Sequence, residues 1–286
     1  MKRCLEKKLY HIRRSLLPEV LSLNCRKLLF AARLLSRGRV AVPVFRSSSP
    51  NMTFVLPSRA GRRKLYAIDT DPDLFARAYA LFEGGILPRR FPADAPYVCA
   101  EWVAGRPLTA APDAEQARVL AALLAQIHSR RPENCPVRFA HLDRLNRRFD
   151  ENTRALPADG AARALALRDR IRRAYDRVAA SLPLACVHPD MIAGNVLLRD
   201  GAPVVFDNEF LSAGAGKEFD VINSMYSLAP EVREAFLAAY GREAPLEHFH
   251  RYRELWEDLH TFKRLSRAMR FRNRSGILDV VRLLSP

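Results

Sequence analysis

Long hydrophobic runs are missing from this sequence of 286 residues. No apolar run approaches the roughly 20 residues that a helix needs to cross a bilayer, so we expect no transmembrane segment. The N-terminus also lacks the uninterrupted apolar core of about 7–15 residues that marks a secretory signal, and we expect no export by that route. Since 49% of the residues are hydrophobic and 27% are charged, the composition is typical of a soluble globular protein rather than a disordered or fibrous one.

Cysteine is scarce and scattered. The five cysteines are an odd number, lie far apart and include no Cys-x-x-Cys pair. This pattern argues against both a disulfide framework and a zinc site, and it fits the reducing cytosol. We therefore expect a cytoplasmic protein.

Acidic residues are outnumbered by basic ones. The sequence has 31 Asp and Glu against 47 Lys and Arg, a formal net charge of +16. Residues 1–40 hold eleven Lys or Arg against two Glu, so +9 of this charge lies in that segment. A field of this sign attracts anionic partners such as phosphate-bearing substrates, acidic membranes or nucleic acid. No nucleic-acid-binding motif accompanies the charge, and we do not expect nucleic acid as a partner.

Helical and β-prone segments follow one another in a simple order. Residues 2–37 carry leucines at helical spacing among basic residues, and Pro18 is expected to divide them into two helices. Short β-prone runs come next, and longer amphipathic helices follow them. The expected strands are 40–45, 52–56, 64–68 and 97–102, with an almost wholly β-prone stretch at 184–206, and the expected helices are 71–81, Ala114–His128, 161–180 and 246–270.

This order predicts an α+β chain with a bilobal plan. A basic amphipathic helical extension covers residues 1–39. A small β-rich lobe covers residues 40–105, and a larger, mainly helical lobe covers residues 106–286.

Polar residues around the β-prone stretch form a pattern typical of phosphoryl transfer. Asp190 and Asn195 have the spacing of a kinase catalytic loop, in which the carboxylate receives the proton of the acceptor hydroxyl and the amide binds metal. The Asp200-Gly201 pair predicts a hairpin turn that would return Asp207 close to Asn195 and create an oxygen-rich Mg²⁺ site. Glu209 would lie on the same side of a continuing strand and add a second acidic group.

The chain resembles the aminoglycoside phosphotransferase and choline kinase family, small-molecule relatives of the protein kinases, over most of residues 40–260. The family loop usually reads His-Gly-Asp-x-x-x-x-Asn, and residues 188–195 read His-Pro-Asp-Met-Ile-Ala-Gly-Asn. The metal strand of the family ends in Asp-x-Glu, as residues 207–209 do, whereas protein kinases have Asp-Phe-Gly there. Residues 97–108 resemble the family hinge, 123–128 the helix that follows it, and 217–221 the segment whose Asp braces the loop.

The resemblance implies a protein-kinase-like fold in which the small lobe binds nucleotide and the larger lobe carries catalysis. The roles that it implies are catalytic base for Asp190, loop brace for His188, Mg²⁺ ligands for Asn195 and Asp207, and adenine contacts from the backbone around Ala100 and Trp102. Pro189 replaces the usual Gly, and Ile192 replaces a second His. Neither change removes the base or a metal ligand.

The small lobe departs further from the family pattern at its phosphate-binding lysine. Lys64 is the only lysine in the expected strands of this lobe and would contact the α- and β-phosphates. It lies at the beginning of its expected strand, so a solvated strand-end lysine is an equal alternative, and Arg62 and Arg63 are rivals.

The carboxylate partner and the phosphate-covering loop are also irregular. Arg77 stands where a helix Glu is expected, which leaves Asp73 or Glu83 as partners of the lysine. Ser48 and Asn51 lie in the turn 47–51, which would cover the phosphates in place of a glycine-rich loop. An ordinary turn is the alternative.

The predicted function is transfer of the γ-phosphate of ATP, with Mg²⁺, to a hydroxyl of a small molecule, an envelope sugar or a lipid headgroup. The net charge favours an anionic acceptor over cationic aminoglycosides. Residues 1–37 would lie on an acidic bilayer, making the protein peripheral on the inner face of a membrane, or would pack on the small lobe. An organellar targeting segment is a further alternative.

Two other classes of function stay open at this point. The displaced lysine and the missing helix Glu would also fit a catalytically impaired, kinase-like nucleotide-binding or scaffold protein. A nucleic-acid-binding protein that uses the basic N-terminal region is the other alternative.

Overall fold

The computed structural model describes residues 42–43, 53–58, 61–68, 70–93, 97–108, 113–152, 156 and 158–270. The helices expected within residues 2–37, and the turn that contains Ser48 and Asn51, lie outside the described residues. The described residues up to Ala67, together with Arg90–Trp102, form one compact unit. Ile68–Arg89 and the described residues from Val103 onwards form a second.

The first unit is an antiparallel sheet with strand order β1-β2-β3-β5-β4. Its strands are β1 (Val42–Pro43), β2 (Thr53–Ser58), β3 (Gly61–Ala67), β4 (Arg90–Phe91) and β5 (Tyr97–Glu101). Phe54, Leu65 and Cys99 are buried and pack together across the central strands. The β-rich character expected for this part of the chain is confirmed.

Strand β3 begins three residues earlier than the sequence predicts. Arg62 and Arg63 pair with Pro57 and Leu56 of β2. The hairpin is therefore tight, and Lys64 lies in the middle of β3 rather than at its beginning.

The second unit is mainly helical, with short strands between the helices. Its elements are α1 (Pro72–Ala80), β6 (Arg106–Pro107), α2 (Ala114–His128), α3 (Ala140–Asn152), α4 (Ala158–Val178), β7 (Leu184–Val187), β8 (Val196–Arg199), β9 (Ala202–Val205), β10 (Ser212–Ala215), α5 (Lys217–Tyr226), α6 (Pro230–Glu243), α7 (Glu247–Arg251) and α8 (Arg253–Arg270). β8 pairs with β6 and β9, and β7 pairs with β10, all antiparallel. In the part of the chain described, no helix combines the length and apolar character needed to cross a membrane.

Helix α1 belongs to the second unit, whereas the sequence-based boundaries place it in the small lobe. Asp71 caps the helix by accepting hydrogen bonds from two backbone N–H groups of its first turn, each at 3.0 Å. Thr70 Oγ1 donates to the Leu211 carbonyl at 3.2 Å, and Val205 N–H donates to the Ile86 carbonyl at 2.9 Å. These bonds join residues 68–89 to β9 and to the residue before β10, a connection that local sequence patterns cannot show.

The apolar face of α8 lies at the centre of the second unit. Trp256, Leu259, Phe262 and Leu265 recur every three residues and are fully buried. The ring of Phe262 lies 5.1 Å from that of Phe149 in α3. The single helix expected over 246–270 is divided into α7 and α8 at Tyr252.

The hairpin expected at the Asp200-Gly201 pair is present between β8 and β9. Asp200 and Gly201 have φ angles of 53° and 82°. Two consecutive positive φ angles are required by the type I′ turn, which Asp-Gly pairs favour. This turn returns the chain to the end of the loop that precedes β8.

Gly214 in β10 is required by its surroundings, and we predict that Gly214→Ala lowers the free energy of unfolding by about 2–4 kcal/mol. Its φ is +153°, and an added Cβ would lie 2.1 Å from the Arg138 carbonyl oxygen. The backbone would have to move to make room. Urea unfolding monitored by circular dichroism measures the change.

Gly194→Ala is the matched control for that experiment. A Cβ at Gly194 would meet no atom of the described chain within 4 Å, and its φ is not positive. We expect this variant to stay within about 0.5 kcal/mol of the wild type. Equal losses of stability in the two variants would show that the close approach of Gly214 to the Arg138 carbonyl is not the cause of the destabilisation.

Candidate active site

The residues of the kinase-like loop lie between β7 and β8, and all belong to the second unit. Met191 N–H donates to the His188 carbonyl at 3.0 Å. Asn195 N–H donates to the Ile192 carbonyl at 2.9 Å, which closes the short 3₁₀ turn Ala193–Asn195. Two tight turns thus follow one another along the loop.

The β8–β9 hairpin returns Asp207 to this loop, as the sequence predicts. Phe206 N–H donates to the Asn195 carbonyl at 3.1 Å. His188 Nε2 lies 3.0 Å from the Asp207 carbonyl and therefore donates a hydrogen bond to it. His188 is fully buried, so it connects the beginning of the loop to the segment after β9.

Asn195 is oriented by Asp190. Its Nδ2 donates to the Asp190 backbone carbonyl at 2.8 Å and lies 3.5 Å from Asp190 Oδ2. Because the nitrogen is used in this way, the other amide atom, Oδ1, is left as an acceptor with no hydrogen bond to the described part of the chain. An amide oxygen and the carboxylate of Asp207 form the kind of donor set that Mg²⁺ prefers.

Protein carboxylates alone do not build a metal site here. Among the residues that the structure describes, no three His, Cys, Asp or Glu side chains group together as metal ligands. Mg²⁺ is commonly held by one or two carboxylates together with substrate phosphates and water. Asn195 and Asp207 therefore fit a metal that is shared with a phosphate-bearing substrate.

Glu209 does not follow Asp207 along a continuing strand, which was the condition for placing the two side chains on the same side. Strand β9 ends at Val205, and Leu211 N–H donates to the Asn208 carbonyl at 3.0 Å, which turns the chain. Strand alternation therefore says nothing about the side of Glu209, which is buried with 4% exposed. Its role as a metal ligand stays a prediction.

Helix α5 holds the backbone of the loop through three side chains. Asp220 Oδ2 accepts from His188 N–H, Asn223 Nδ2 donates to the Pro189 carbonyl at 3.2 Å, and Ser224 Oγ donates to the Met191 carbonyl at 2.6 Å. Asn223 and Ser224 lie three and four positions after Asp220, so each is a neighbour of Asp220 on the helix surface. All three are buried. The resemblance implied a bracing role for Asp220, but the sequence analysis did not find the other two.

A buried chain of hydrogen bonds continues from Asp220 into the core. His128 Nε2 lies 3.1 Å from Asp220 Oδ2, and His128 Nδ1 lies 2.7 Å from the Tyr240 hydroxyl. Burial lowers the pKa of His128 and outweighs the opposing effect of Asp220, so the imidazole is neutral. Burial also raises the pKa of Tyr240, which keeps its hydroxyl proton. The hydroxyl therefore donates to Nδ1, and Nε2–H donates to the carboxylate.

Lys263 of α8 contacts the candidate base, and sequence reasoning missed it. Its Nζ donates to the Pro189 carbonyl at 2.8 Å and lies 3.3 Å from Asp190 Oδ1. The side chain of Lys263 is 19% exposed and that of Asp190 is 31% exposed. A signal was present in the sequence, because Lys263 lies four residues after Leu259 on the otherwise apolar stripe of α8.

The two charges affect each other's protonation. Burial alone would raise the pKa of Asp190, but the charge of Lys263, with smaller effects from His188 and Arg267, lowers it overall. Burial lowers the pKa of Lys263, and Asp190 opposes this shift. Asp190 is therefore an ionised carboxylate at neutral pH, able to accept a hydrogen bond from a hydroxyl group.

His260 supports the same cluster from α8. Its Nδ1 lies 2.9 Å from Asn223 Oδ1. Burial, followed by the charge of Lys263, lowers the pKa of His260 to about 4. The imidazole is neutral at pH 7, so Nδ1–H donates to Asn223, whose nitrogen in turn donates to the loop.

We predict that Lys263→Met moves the acid limb of the pH profile of kcat/KM to higher pH. Lys263 lowers the pKa of Asp190, so its removal lets burial raise that pKa. Protonation then inactivates the carboxylate at a higher pH than in the wild type, and activity on the acid limb falls roughly tenfold for each unit by which the pKa rises. Initial rates between pH 5 and pH 9, measured under the assay conditions of the proposed reaction, check this.

Two variants make the Lys263 experiment specific. Lys263→Arg keeps the charge and is expected to leave the acid limb near its wild-type position. Arg264→Met makes the same charge change at an exposed position of the same helix and is expected to leave the profile unchanged. A limb that does not move in Lys263→Met would show that the lysine has only a structural role.

The predicted nucleotide contacts lie in the first compact unit. Lys64 Nζ lies 4.7 Å from the ring centroid of Tyr66. Ala100 pairs with Lys64 on one side and Arg90 on the other. Trp102 is 38% exposed, and its N–H donates to the Arg62 carbonyl at 3.2 Å. Because that N–H is already used, adenine contacts would depend on other backbone groups around Trp102, and the nucleotide roles of Ala100, Trp102 and Lys64 stay predictions.

Comparisons with known structures bear on the fold. The chain is similar to a choline kinase from Streptococcus pneumoniae, with 12% identity and a TM-score of 0.61 over 91% of this chain and 98% of that one. It is similar to a choline kinase from Cryptosporidium parvum, with 12% identity and a TM-score of 0.60 over 86% and 87%. An aminoglycoside-3′-phosphotransferase of type VIII matches with 25% identity and a TM-score of 0.56 over 81% and 98%. The expected kinase-like fold is thereby confirmed.

The sequence itself gives the family. No curated protein sequence shows significant similarity to the chain. A family model, described as the phosphotransferase enzyme family, matches residues 72–255, which is more than half of the chain and includes the loop, the hairpin and α5. The chain therefore belongs to the phosphotransferase enzyme family.

Proposed function

We propose that this protein transfers the γ-phosphate of ATP to a hydroxyl group of a small molecule, an envelope sugar or a lipid headgroup. The observation that carries the proposal is the arrangement around Asp190, an ionised carboxylate on a loop whose backbone is held at four consecutive residues. The bonds are those of His188 N–H to Asp220, the Pro189 carbonyl to Asn223 and Lys263, the Asp190 carbonyl to Asn195, and the Met191 carbonyl to Ser224.

Such rigid positioning is what phosphoryl transfer needs from a protein. The reaction requires little covalent help, because catalysis depends on alignment and on charge stabilisation. Asp190 would orient the acceptor hydroxyl and take its proton as the phosphoryl group arrives. His188 would keep the loop in place through its bond to the Asp207 carbonyl.

The same site would hold Mg²⁺ with the nucleotide. Asn195 Oδ1 and the Asp207 carboxylate are the proposed ligands, with Glu209 as a second acidic group. When bound, the metal would neutralise charge on the phosphates. A structural neighbour, the choline kinase LicA, is described in complex with AMP, which supports nucleotide as the first substrate.

The remaining contacts of the nucleotide are proposed for the smaller unit. Lys64 would approach the phosphates, Ser48 and Asn51 would cover them, and the backbone around Ala100 and Trp102 would hold adenine. We also propose a cytoplasmic location, with residues 1–37 as the segment that would bring the protein to an anionic membrane surface.

A transfer assay tests the proposed function. Purified protein is incubated with γ-labelled ATP, Mg²⁺ and a panel of sugars, lipid headgroups and antibiotics, and label in the acceptor is counted. Asp207→Asn and an EDTA-treated sample serve as blanks, and both are expected to lose transfer because the proposed metal site is weakened or emptied. Binding of a fluorescent ATP analogue is measured in parallel. Nucleotide binding without transfer to any acceptor would instead favour the impaired, scaffold-like alternative.

A further inference from the structure

A basic cleft lies beside the loop in the second unit. It has a volume of about 680 Å³, within the range of small-molecule sites. Val187 and Pro189, the two residues that flank His188, line its wall. The cleft is therefore bordered by the residue that immediately precedes Asp190. We call it the arginine cleft, after the residues Arg77, Arg138, Arg144 and Arg147 that line it.

The charged side chains that line the arginine cleft are mostly positive. Four arginines line it against one acidic residue, Asp71. The carboxylate of Asp71 is already used as the cap of α1. Arg138 forms an ion pair with Asp143 at 2.6 Å, which offsets one of the four positive charges. An excess of positive charge remains in the cleft after both carboxylates are counted.

Helix α3 carries part of this positive charge. His141, Arg144 and Arg147 are three residues apart and share the face that lines the cleft. The guanidinium carbon of Arg144 lies 3.8 Å from the ring centroid of Phe210, which limits its freedom. Arg147 is exposed and makes no ion pair or hydrogen bond with the described part of the chain.

A buried hydroxyl in the cleft wall also lacks a partner. Ser212 lines the cleft and is 2% exposed, and its Oγ makes no hydrogen bond within the described chain. Leaving a buried polar group unsatisfied is unfavourable, whereas a bound ligand with an acceptor atom would remove that cost. This observation is independent of the arginines and also indicates a polar ligand.

We propose that the arginine cleft binds a carboxylate or phosphate group of the acceptor whose hydroxyl is phosphorylated at Asp190. The proposal rests on the proposed function. Guanidinium groups form paired hydrogen bonds with the planar oxygens of carboxylates and phosphates. Their charge repels cations such as the choline for which two structural neighbours are named. The acceptor is thus a hydroxyl compound that carries negative charge.

The arginine cleft lies close to the residues that contact Asp190. This supports its role as part of the acceptor site rather than as a separate anion site. Lys263 donates to both the Pro189 carbonyl and Asp190, and Pro189 also lines the cleft. Burial lowers the pKa of Lys263, Asp190 opposes this shift, and the charge of Arg144 adds to it, so Arg144 acts on the same charged groups. An anionic group held in the cleft would keep the rest of the molecule beside the loop.

Binding tests the cleft without relying on turnover. With Mg²⁺ and ADP at saturating concentration, a hexose, the corresponding hexuronate and the hexose 6-phosphate are titrated against the protein by calorimetry. We expect the two anionic compounds to bind more tightly than the hexose, with affinity that falls as salt is added. In the double variant Arg77→Gln/Arg147→Gln the Kd of the anionic compounds should rise about 10–100-fold, because charge-assisted hydrogen bonds are lost.

A second double variant controls for net charge. Arg173→Gln/Arg177→Gln removes the same two charges from exposed positions of α4, outside the cleft. Its affinity for the anionic compounds should match the wild type. No preference for anionic compounds, or equal losses in the two double variants, would overturn the proposal.

Transfer assays then separate this proposal from the function on which it rests. Soluble hexose 6-phosphate and phosphatidylinositol in phosphatidylcholine vesicles are offered as acceptors, which distinguishes a free phosphate from a lipid headgroup. The cleft variant should raise the KM of the acceptor about 10–100-fold and leave the KM of ATP unchanged. Transfer to no compound would contradict the proposed function. Equal transfer to neutral and anionic acceptors, or an unchanged acceptor KM in the cleft variant, would contradict the arginine cleft alone.

Discussion

Replacing Asp190 by Asn is expected to lower the kcat of phosphate transfer by about 10²–10⁴-fold. The amide cannot take the proton of the acceptor hydroxyl, whereas the ionised carboxylate can. Nucleotide binding should change little, because Asn195 donates mainly to the backbone carbonyl of residue 190, which the substitution leaves in place. Initial rates with a saturating acceptor, together with binding of a fluorescent ATP analogue, measure the two effects separately.

Asp169→Asn provides the matched control for this experiment. It makes the same chemical change at a half-exposed position of α4, where Asp169 Oδ1 lies 3.7 Å from Arg168 Nε. Its kcat should equal that of the wild type. If Asp190→Asn kept a kcat within a few-fold of the wild type, Asp190 would not be the base. A parallel loss of ATP-analogue binding would instead indicate that the loop had been displaced.

Replacing Asp220 by Ala is expected to lower the free energy of unfolding by about 3–5 kcal/mol. Asp220 is fully buried, and its Oδ2 accepts hydrogen bonds from His188 N–H and His128 Nε2. Truncation leaves both donors buried without an acceptor, and each hydrogen bond to a charged group contributes about 1.5–3 kcal/mol. Urea unfolding at pH 7 measures the change.

Asp220→Asn tests whether this stability depends on the position of the hydrogen-bond acceptor or on its negative charge. Both hydrogen bonds go to Oδ2, while Oδ1 has no partner in the described part of the chain. An amide with its oxygen in the Oδ2 position keeps both bonds, so we expect less than half of the loss seen for Ala. Similar losses for Asn and Ala would mean that the negative charge, rather than the acceptor position, stabilises this part of the core.

Local sequence patterns were sufficient for the elements that form through neighbouring residues. The stripe of apolar residues in Ala114–His128 predicted that helix with the bounds observed. The Asp200-Gly201 pair predicted a turn that requires two positive φ angles, and both are present. The spacing of Asp190 and Asn195 predicted a kinase-like loop, and in the structure Asn195 Nδ2 donates a hydrogen bond to the Asp190 backbone carbonyl.

Local patterns failed where the structure depends on contacts between distant parts of the chain. The placement of Glu209 depended on the strand continuing past Asp207, and β9 ends at Val205 instead. The beginning of β3 was placed too late because pairing with β2 extends the strand through Arg62 and Arg63. Neither feature has a strong local signal, since both depend on which backbone groups find partners across a sheet or turn.

The contacts of the loop also depend on residues that are far from it along the chain. Lys263 lies 73 residues from Asp190 along the chain, and Asp220 lies 32 residues from His188. A sequence can suggest that a lysine on an apolar helix face is unusual, but only the packing of α8 against the loop shows which carboxylate it meets. The arginine cleft likewise draws its charge from α1, α3 and the segment between α2 and α3.

The kinase-like loop is therefore the part of this protein that its sequence determined by itself. Asp190, Asn195 and Asp207 could be recognised because fixed spacings and a two-residue turn bring them together through short-range geometry. The residues that hold the loop, and the charged cleft beside it, were decided only by the tertiary structure. Their side chains come from separate helices, and burial and charge at such a site depend on which faces of those helices pack together.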